Sequence, residues 1–279
     1  FSIRIIGYLP YIIFFYVIYT IEIFRELLLY NGLLQLLLFL IVACIPAYLT
    51  KRMSYVDIAW PWGLVLIGAL VLLLGDGYKP RIFLISGMYL FSGLRMGIGA
   101  LILFKKGHLD SELSRYTYQR RRWEKAGYKN LDISLQYEIM IQCFANITFL
   151  ALPAILMAQN TATSISVIEI IGASLWAIWF VLEHVSDMQK QQFLKKSFLE
   201  KKKKQVCNAG FWKYSRHPNY FSEWMVWNSM ILSAFFSYTT FYSQDKLFVW
   251  GAVFIALLYV SYIMYTTLVY YTGAVPSEY

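Results

Sequence analysis

The chain alternates between long apolar runs and short polar stretches. A helix needs about 20 apolar residues to cross the hydrocarbon core of a bilayer. Eight runs of roughly that length cover residues 5–24, 31–49, 56–74, 82–104, 137–158, 165–183, 221–242 and 247–271. Asn31-Gly32 is predicted to form the turn before the second run, and Pro80 belongs to the break after the third. The pattern therefore predicts an all-α, polytopic transmembrane helix bundle of about eight spans.

Composition supports a membrane protein. Of 279 residues, 59% are hydrophobic and 19% aromatic, which exceeds what a soluble domain carries. The three cysteines and three histidines show neither a disulfide framework nor metal-ligand spacing. The chain also lacks a GxGxxG and a Walker motif, so a Rossmann or P-loop nucleotide site is not expected.

The formal net charge of +9 is explained by the positive-inside rule and by anionic headgroups rather than by nucleic acid. If eight spans alternate, most Lys and Arg residues share one side with both chain ends. The opposite side then holds Arg25, Lys79, Arg81 and Lys246. This asymmetry predicts that the basic face lies toward the cytosol or the mitochondrial matrix. A lipid bilayer is thus an expected partner, and nucleic acid is not.

Residues 210–224 form a polar, aromatic connector that delivers the chain to an apolar run. Pro218 is predicted in the first turn of the helix that follows, where its missing N–H costs nothing. Asn219 and Glu223 then share one helix face. The free N–H groups of a helix start attract anions, and Arg216 and His217 stand just outside it. The connector is either a phosphate-ligand site or a juxtamembrane turn with interfacial aromatics.

Ionisable residues inside membrane spans are functional candidates, because burying them without a partner is costly. Asp57 lies one turn inside the third span. It is interpreted as a proton donor, as a ligand to a substrate hydroxyl, or as an ion-pair partner of Arg52 or Arg95. The ion pair is favoured. Arg95 lies deeper and is expected to pair inside the bundle, and Glu183 and Glu223 complete the set.

Glu183, Asp187 and Lys190 occur at i, i+4 and i+7, so they share a face if the sixth span continues as a helix past the membrane. Two acids and a lysine on one stripe suit a ribose hydroxyl and a phosphate. An intrahelical salt-bridge ladder explains the spacing equally simply and is favoured by spacing alone.

Two further basic stretches flank the spans. Residues 105–136 mix aromatic and basic side chains, which suggests either an interfacial amphipathic helix or a solvated basic loop that touches headgroups. The loop is favoured. The four lysines at 201–204 are most simply a solvated or lipid-facing charge run.

Several strings together resemble one family. They are SDMQKQQF at 186–193, GFWKYSRHPNYFSE at 210–223, DIAW at 57–60, Arg115-Tyr116, and TGAVPSE at 272–278. This set resembles the DUF1295 membrane proteins, relatives of the steroid 5-alpha-reductases and sterol reductases, and more distantly the isoprenylcysteine carboxyl methyltransferases. The resemblance covers roughly residues 50–279.

The resemblance implies a helix bundle whose cytosolic half binds NADP(H) and whose apolar pocket opens toward lipid. The resemblance and the stripe on the sixth span together predict eight cofactor-binding residues. They are Glu183, Asp187, Lys190, Arg216, His217, Asn219, Tyr220 and Glu223. The nicotinamide would reduce an activated double bond of a lipophilic enone or sterol-like molecule. An acid and a tyrosine would assist, and Asp57 and Tyr116 are the stand-ins for that catalytic pair.

Residues 1–30 match nothing in the resemblance and are interpreted as an extra N-terminal membrane helix, with residues 31–279 as the reductase-like domain. Family members continue past the position of Glu278 with a basic tail, which is not part of this sequence. Two alternatives stay open. One is a non-catalytic accessory subunit of a larger membrane complex, for example a mitochondrial respiratory assembly. The other is an S-adenosylmethionine-dependent methyltransferase. The expected location is the endoplasmic reticulum or the mitochondrial inner membrane.

Overall fold

The computed structural model describes residues 2–200, 205–271 and 273–278. The regular secondary structure of this part of the chain is helix, with no strand, which confirms the all-α prediction. Its helices are α1 Ser2–Thr20, α2 Glu22–Phe39, α3 Ile45–Thr50, α4 Val56–Leu74, α5 Lys79–Lys105, α6 Ser114–Lys125, α7 Leu131–Ile147, α8 Leu152–Gln159, α9 Val167–Leu199, α10 Pro218–Phe241, α11 Leu247–Thr266 and α12 Ala274–Glu278. The lysines at 201–204 and Thr272 lie outside the described residues.

Within the described residues, six helical stretches are long and apolar enough to cross a membrane. They are Glu22–Thr50, Val56–Leu74, Lys79–Lys105, Leu131–Gln159, Val167–Leu199 and Gln244–Pro276. These stretches identify an integral membrane protein. The other two predicted spans correspond to α1, whose apolar part is the shorter Ile6–Thr20, and to α10, in which serine, asparagine and tyrosine lower the hydropathy. The count of eight spans stays a prediction.

The predicted turn at Asn31-Gly32 is wrong. α1 ends at Thr20 and α2 begins at Glu22, so the chain turns at Ile21 instead. α2 then runs unbroken through Asn31. The predicted spans 5–24 and 31–49 therefore have different bounds from the observed helices. The Asn-Gly pair does not mark a turn, because Asn31 has another role. The buried Asn31 amide donates hydrogen bonds of 3.1 Å to the main-chain oxygens of Asn146 and Ile147.

Those two oxygens belong to the end of α7, which stops inside a continuous apolar segment before α8 starts. A helix end within the hydrocarbon region has carbonyls that only protein groups can satisfy. The Asn31 amide supplies the donors. The Gln35 amide extends the cluster by donating a hydrogen bond of 2.8 Å to the Gly63 main-chain oxygen. The Asn146 amide donates one of 3.2 Å to the Trp60 main-chain oxygen. This amide cluster ties α2, α4 and α7 together.

Small residues bring the paired helices close. A Cβ atom added at Gly93 of α5 would lie 2.7 Å from the main-chain oxygen of Pro61 in α4. One added at Gly172 of α9 would lie 2.8 Å from the main-chain nitrogen of Ser233 in α10. Contacts of this kind require glycine and allow dense packing where no hydrophobic effect drives helices together. The pairs α4–α5 and α9–α10 are the framework of the site described below.

The helix α9 has 33 residues, which corresponds to about 50 Å at about 1.5 Å per residue. A hydrocarbon core is about 30 Å thick, so the C-terminal part of α9 extends well beyond it. The predicted continuation of the sixth span as a helix is confirmed. Its other end is fixed by a capping box of Ser166 and Glu169 and by a fully buried ion pair between Glu169 and Arg81.

Candidate functional site

One cluster of charged residues joins α5, α9 and α10. The guanidinium of Arg95 in α5 bridges two carboxylates of α9: it contacts Glu183 and donates a bond of 3.0 Å to Asp187. The Asn219 amide in α10 donates a hydrogen bond of 3.0 Å to the other oxygen of Asp187. The prediction that Arg95 pairs inside the bundle is confirmed. The two acids of the stripe pair with Arg95 of another helix, so the favoured intrahelical ladder does not describe them.

Several polar atoms of this cluster keep unused hydrogen-bonding capacity. Within the described part of the chain, the Asn219 Oδ1 acceptor and the Arg95 Nε donor are buried without a partner. Glu223 follows Asn219 by one helical turn and is partly buried. Its carboxylate lies within electrostatic range of Arg95, Asp187 and Arg115. Buried polar atoms normally have partners, so this cluster has room for hydrogen bonds to a ligand.

A second cluster lies at the start of α4. Arg115 in α6 forms an ion pair with Asp57, and the Tyr116 hydroxyl donates a hydrogen bond to the same carboxylate. The ion-pair interpretation of Asp57 is confirmed, but the predicted partners were wrong. Arg52 donates to the main-chain oxygen of Leu109, and Arg95 is held by the acids of α9. The partner is Arg115 because α6 lies across the end of α4.

Burial raises the pKa of Tyr116 well above that of a free tyrosine, and the neighbouring Asp57 carboxylate raises it further. Burial is the largest single influence on the pKa of Arg115 and lowers it, but the charge and hydrogen bond of Asp57 together with Tyr116 and Tyr220 raise the pKa overall. At neutral pH the phenol is thus protonated and the guanidinium charged. The pair Asp57–Tyr116 is a protonated hydroxyl held by a carboxylate.

The position of α6 depends on Glu112, which sequence reasoning did not single out. Its carboxylate accepts hydrogen bonds from the main-chain nitrogen of Met53 at 2.9 Å and from the Ser54 hydroxyl at 2.6 Å. Arg120 donates to the same carboxylate at 3.0 Å. The region 105–136 thus contains a docked helix, α6, which the favoured solvated loop does not describe. Buried Tyr116 and Trp123 form the inner face of α6.

The two clusters are neighbours. Tyr220 in the first turn of α10 lies within electrostatic range of Arg115 and Asp57 on one side and of Asp187 and Glu223 on the other. Its ring stacks on that of His217 with centroids 5.5 Å apart. Seven of the ten predicted site residues therefore form one polar region. They are Asp57, Tyr116, Glu183, Asp187, Asn219, Tyr220 and Glu223.

The connector is anchored on α9. Gly210 adopts a φ of 55°, which favours glycine, and it lies against Gln189. The Gln189 side chain accepts a 2.9 Å bond from the Phe211 nitrogen, and the Trp212 indole donates 2.9 Å to the Ser186 oxygen. These contacts lead the chain to Pro218, which begins α10 as predicted.

The three remaining predicted residues lie at the edge of the polar region. The Lys190 ammonium lies 4.8 Å from the centre of the Trp212 ring, so it packs on the connector. Arg216 is exposed on the connector surface, and His217 is partly buried at the N-cap position of α10. They border the polar region on the side of the connector.

Comparison with known proteins gives one match. The profile of DUF1295, described as a protein of unknown function, matches residues 41–268. No curated protein and no solved structure matches the chain. The matched segment includes α4, α6, α9, the connector and α10, which carry all ten predicted site residues. The chain therefore belongs to the DUF1295 family.

Proposed function

We propose that this protein is an NADPH-dependent membrane reductase of a lipophilic enone or sterol-like substrate. The observation that carries the proposal is the hydrogen bond from Tyr116 to Asp57, beside the Asp187–Asn219 cluster. A protonated hydroxyl thus adjoins the group of residues that the family resemblance assigns to the cofactor.

The residues present fit a dinucleotide by their chemistry. Among the residues that the structure describes, Asn219 Oδ1 is a buried acceptor without a partner, suited to a carboxamide N–H or a ribose hydroxyl. The Glu223 carboxylate is suited to the same donors. The cations Lys190 and Arg216 at the connector match phosphate groups. When bound, NADPH would supply a hydride to the substrate double bond.

The chain's own residues would then handle the proton. The Tyr116 hydroxyl has one proton, which it donates to Asp57 in the resting state. In the reaction the hydroxyl turns from Asp57, donates that proton toward the developing negative charge of the enone, and regains a proton from solvent. Asp57 acts as a positioning residue, because it accepts the hydrogen bond that fixes the phenol and pairs with Arg115. General acid catalysis of this kind contributes typically 10²–10⁴-fold to a rate.

Transfer of deuterium from 4-deuterated NADPH to lipophilic enones tests the proposal. The protein in nanodiscs is incubated with a steroid enone and with a polyprenyl enal, and the products are examined by mass spectrometry. Tyr116→Phe should lower turnover by about 10²-fold or more while NADPH binding remains. The control Tyr128→Phe keeps the ring that lies beneath Arg4 and should behave as the parent.

Three results would count against the proposal. Label transfer that is equal in Tyr116→Phe and the parent would remove Tyr116 from the reaction. A well-folded protein without NADPH binding that co-purifies in stoichiometric amount with other subunits would favour the accessory-subunit alternative. Preferential binding of S-adenosylmethionine would favour a methyltransferase.

A further inference from the structure

A groove with a volume of about 360 Å³ lies between α9, the connector and α10, outside the polar region. Its walls are Trp179, Leu182, Ser186, Phe211, Tyr214, Ser215, Pro218, Phe221 and Ser222. Four of them immediately precede Glu183, Asp187, Asn219 or Glu223 in sequence. Consecutive helix residues point in different directions, so the groove and the polar cluster occupy neighbouring faces of the same helix pair.

The groove extends from the hydrocarbon region toward the membrane boundary. Counting about 1.5 Å per residue from Val167, Trp179 lies about 18 Å and Ser186 about 28 Å along α9. The hydrocarbon core is about 30 Å thick. Trp179 therefore lies about 10 Å deeper along α9 than Ser186, and the connector end of the groove lies toward the headgroups.

One polar atom in the groove lacks a partner. Within the described residues, the indole nitrogen of Trp179 is buried and makes no hydrogen bond, and its ring packs edge-on against Phe221 at 5.5 Å. The hydroxyls of Ser186 and Ser222 donate to main-chain oxygens of their own helices, so they need no ligand. A buried indole N–H normally has an acceptor, and the ester carbonyl of a lipid chain that enters the groove can supply it.

The mouth of the groove is positively charged. Lys213 and Arg216 are exposed and adjoin the lining residues Tyr214 and Ser215. Tyr214 itself has 89% of its surface exposed and Phe221 49%. We propose that this groove binds one anionic phospholipid, with an acyl chain beside Trp179 and Phe221 and the phosphate near Lys213. The proposal is independent of the reductase activity.

Native mass spectrometry from mixed micelles tests this site. The probes are phosphatidylglycerol and phosphatidylcholine with identical acyl chains. The parent should retain one phosphatidylglycerol after other lipids are stripped. A nearby lysine contributes about 1 kcal/mol toward an anionic headgroup, so Lys213→Gln should reduce the preference about fivefold. The matched control Lys246→Gln removes an exposed lysine at the other end of α10 and should change nothing.

Three further variants separate the contributions. Ser215→Trp fills the mouth from an exposed position and should abolish retention, whereas Gln244→Trp at an exposed site should not. Trp179→Phe keeps a ring but loses the N–H, so retention should fall about fivefold for one hydrogen bond. Equal retention of both lipids by the parent, or retention unaffected by Ser215→Trp and Trp179→Phe, would overturn the proposal. So would a dimer that Ser215→Trp dissociates, since a second copy would then occupy the groove.

Discussion

Asn219 donates a hydrogen bond of 3.0 Å to Asp187 and thereby joins the start of α10 to the part of α9 that continues beyond the membrane. The other oxygen of the same carboxylate receives Arg95 from α5. Three helices that are far apart in sequence thus meet at one carboxylate. The neighbouring Asp57–Arg115 pair joins α4 to α6 in the same way.

Removing Arg95 should destabilise the protein strongly. Arg95→Met leaves Glu183 and Asp187 without their cation, and unpairing a buried ion pair costs about 3–5 kcal/mol. The thermal midpoint of the protein in nanodiscs should fall. Adding Glu183→Gln and Asp187→Asn should restore much of the loss, because the uncompensated charges disappear. An unchanged midpoint in the single variant would contradict the central role of Arg95.

Glu112 should control the order of α6. Glu112→Gln weakens the bonds to Met53, Ser54 and Arg120, so amide hydrogen exchange in α6 should accelerate while exchange in α4 and α5 stays the same. Glu124→Gln changes an exposed glutamate in α6 itself and serves as the control. Equal exchange in both variants would show that α6 is held by its apolar face alone.

The amide cluster should stabilise the break between α7 and α8. Asn31→Leu removes the donors to the Asn146 and Ile147 oxygens, and an unsatisfied buried acceptor costs about 1–3 kcal/mol. Unfolding in mixed micelles should report a loss of that size. Leu33→Ala changes a side chain of the same helix that is 64% exposed and should have a much smaller effect.

The predicted topology can be tested with the protein's own thiols. Cys44 and Cys143 are buried, whereas Cys207 is partly exposed just before the connector. A membrane-impermeant maleimide should therefore label Cys207 from the basic side, the side of a C-terminal tag. A cysteine introduced as Lys246→Cys should react from the other side. Labelling of Cys207 and Lys246→Cys from the same side would contradict the alternating arrangement.

Local signals predicted the helical parts of the site well. The start of α10 at Pro218 and the shared faces of Glu183 with Asp187 and of Asn219 with Glu223 follow from helix geometry, which the sequence encodes directly. Long-range contacts were less accessible. Asp57 pairs with Arg115 because Glu112 holds the start of α6 beside the start of α4. No periodicity in the sequence indicates this contact between two helices. Asn31 resembled a turn residue because its role, capping α7, depends on a helix more than a hundred residues away.

Binding of NADPH to the purified protein in nanodiscs tests the central claim most directly. Asn219→Ala should weaken binding about tenfold or more, since it removes a buried polar partner. Asn228→Ala, nine residues further along α10 and bonded to Trp224, should bind as the parent does. Tight NADPH binding by the parent that is lost in Asn219→Ala and Asp187→Asn, with NADH and S-adenosylmethionine bound weakly or not at all, is the predicted result. A folded parent that does not bind NADPH, or binding that both variants retain, would contradict the account.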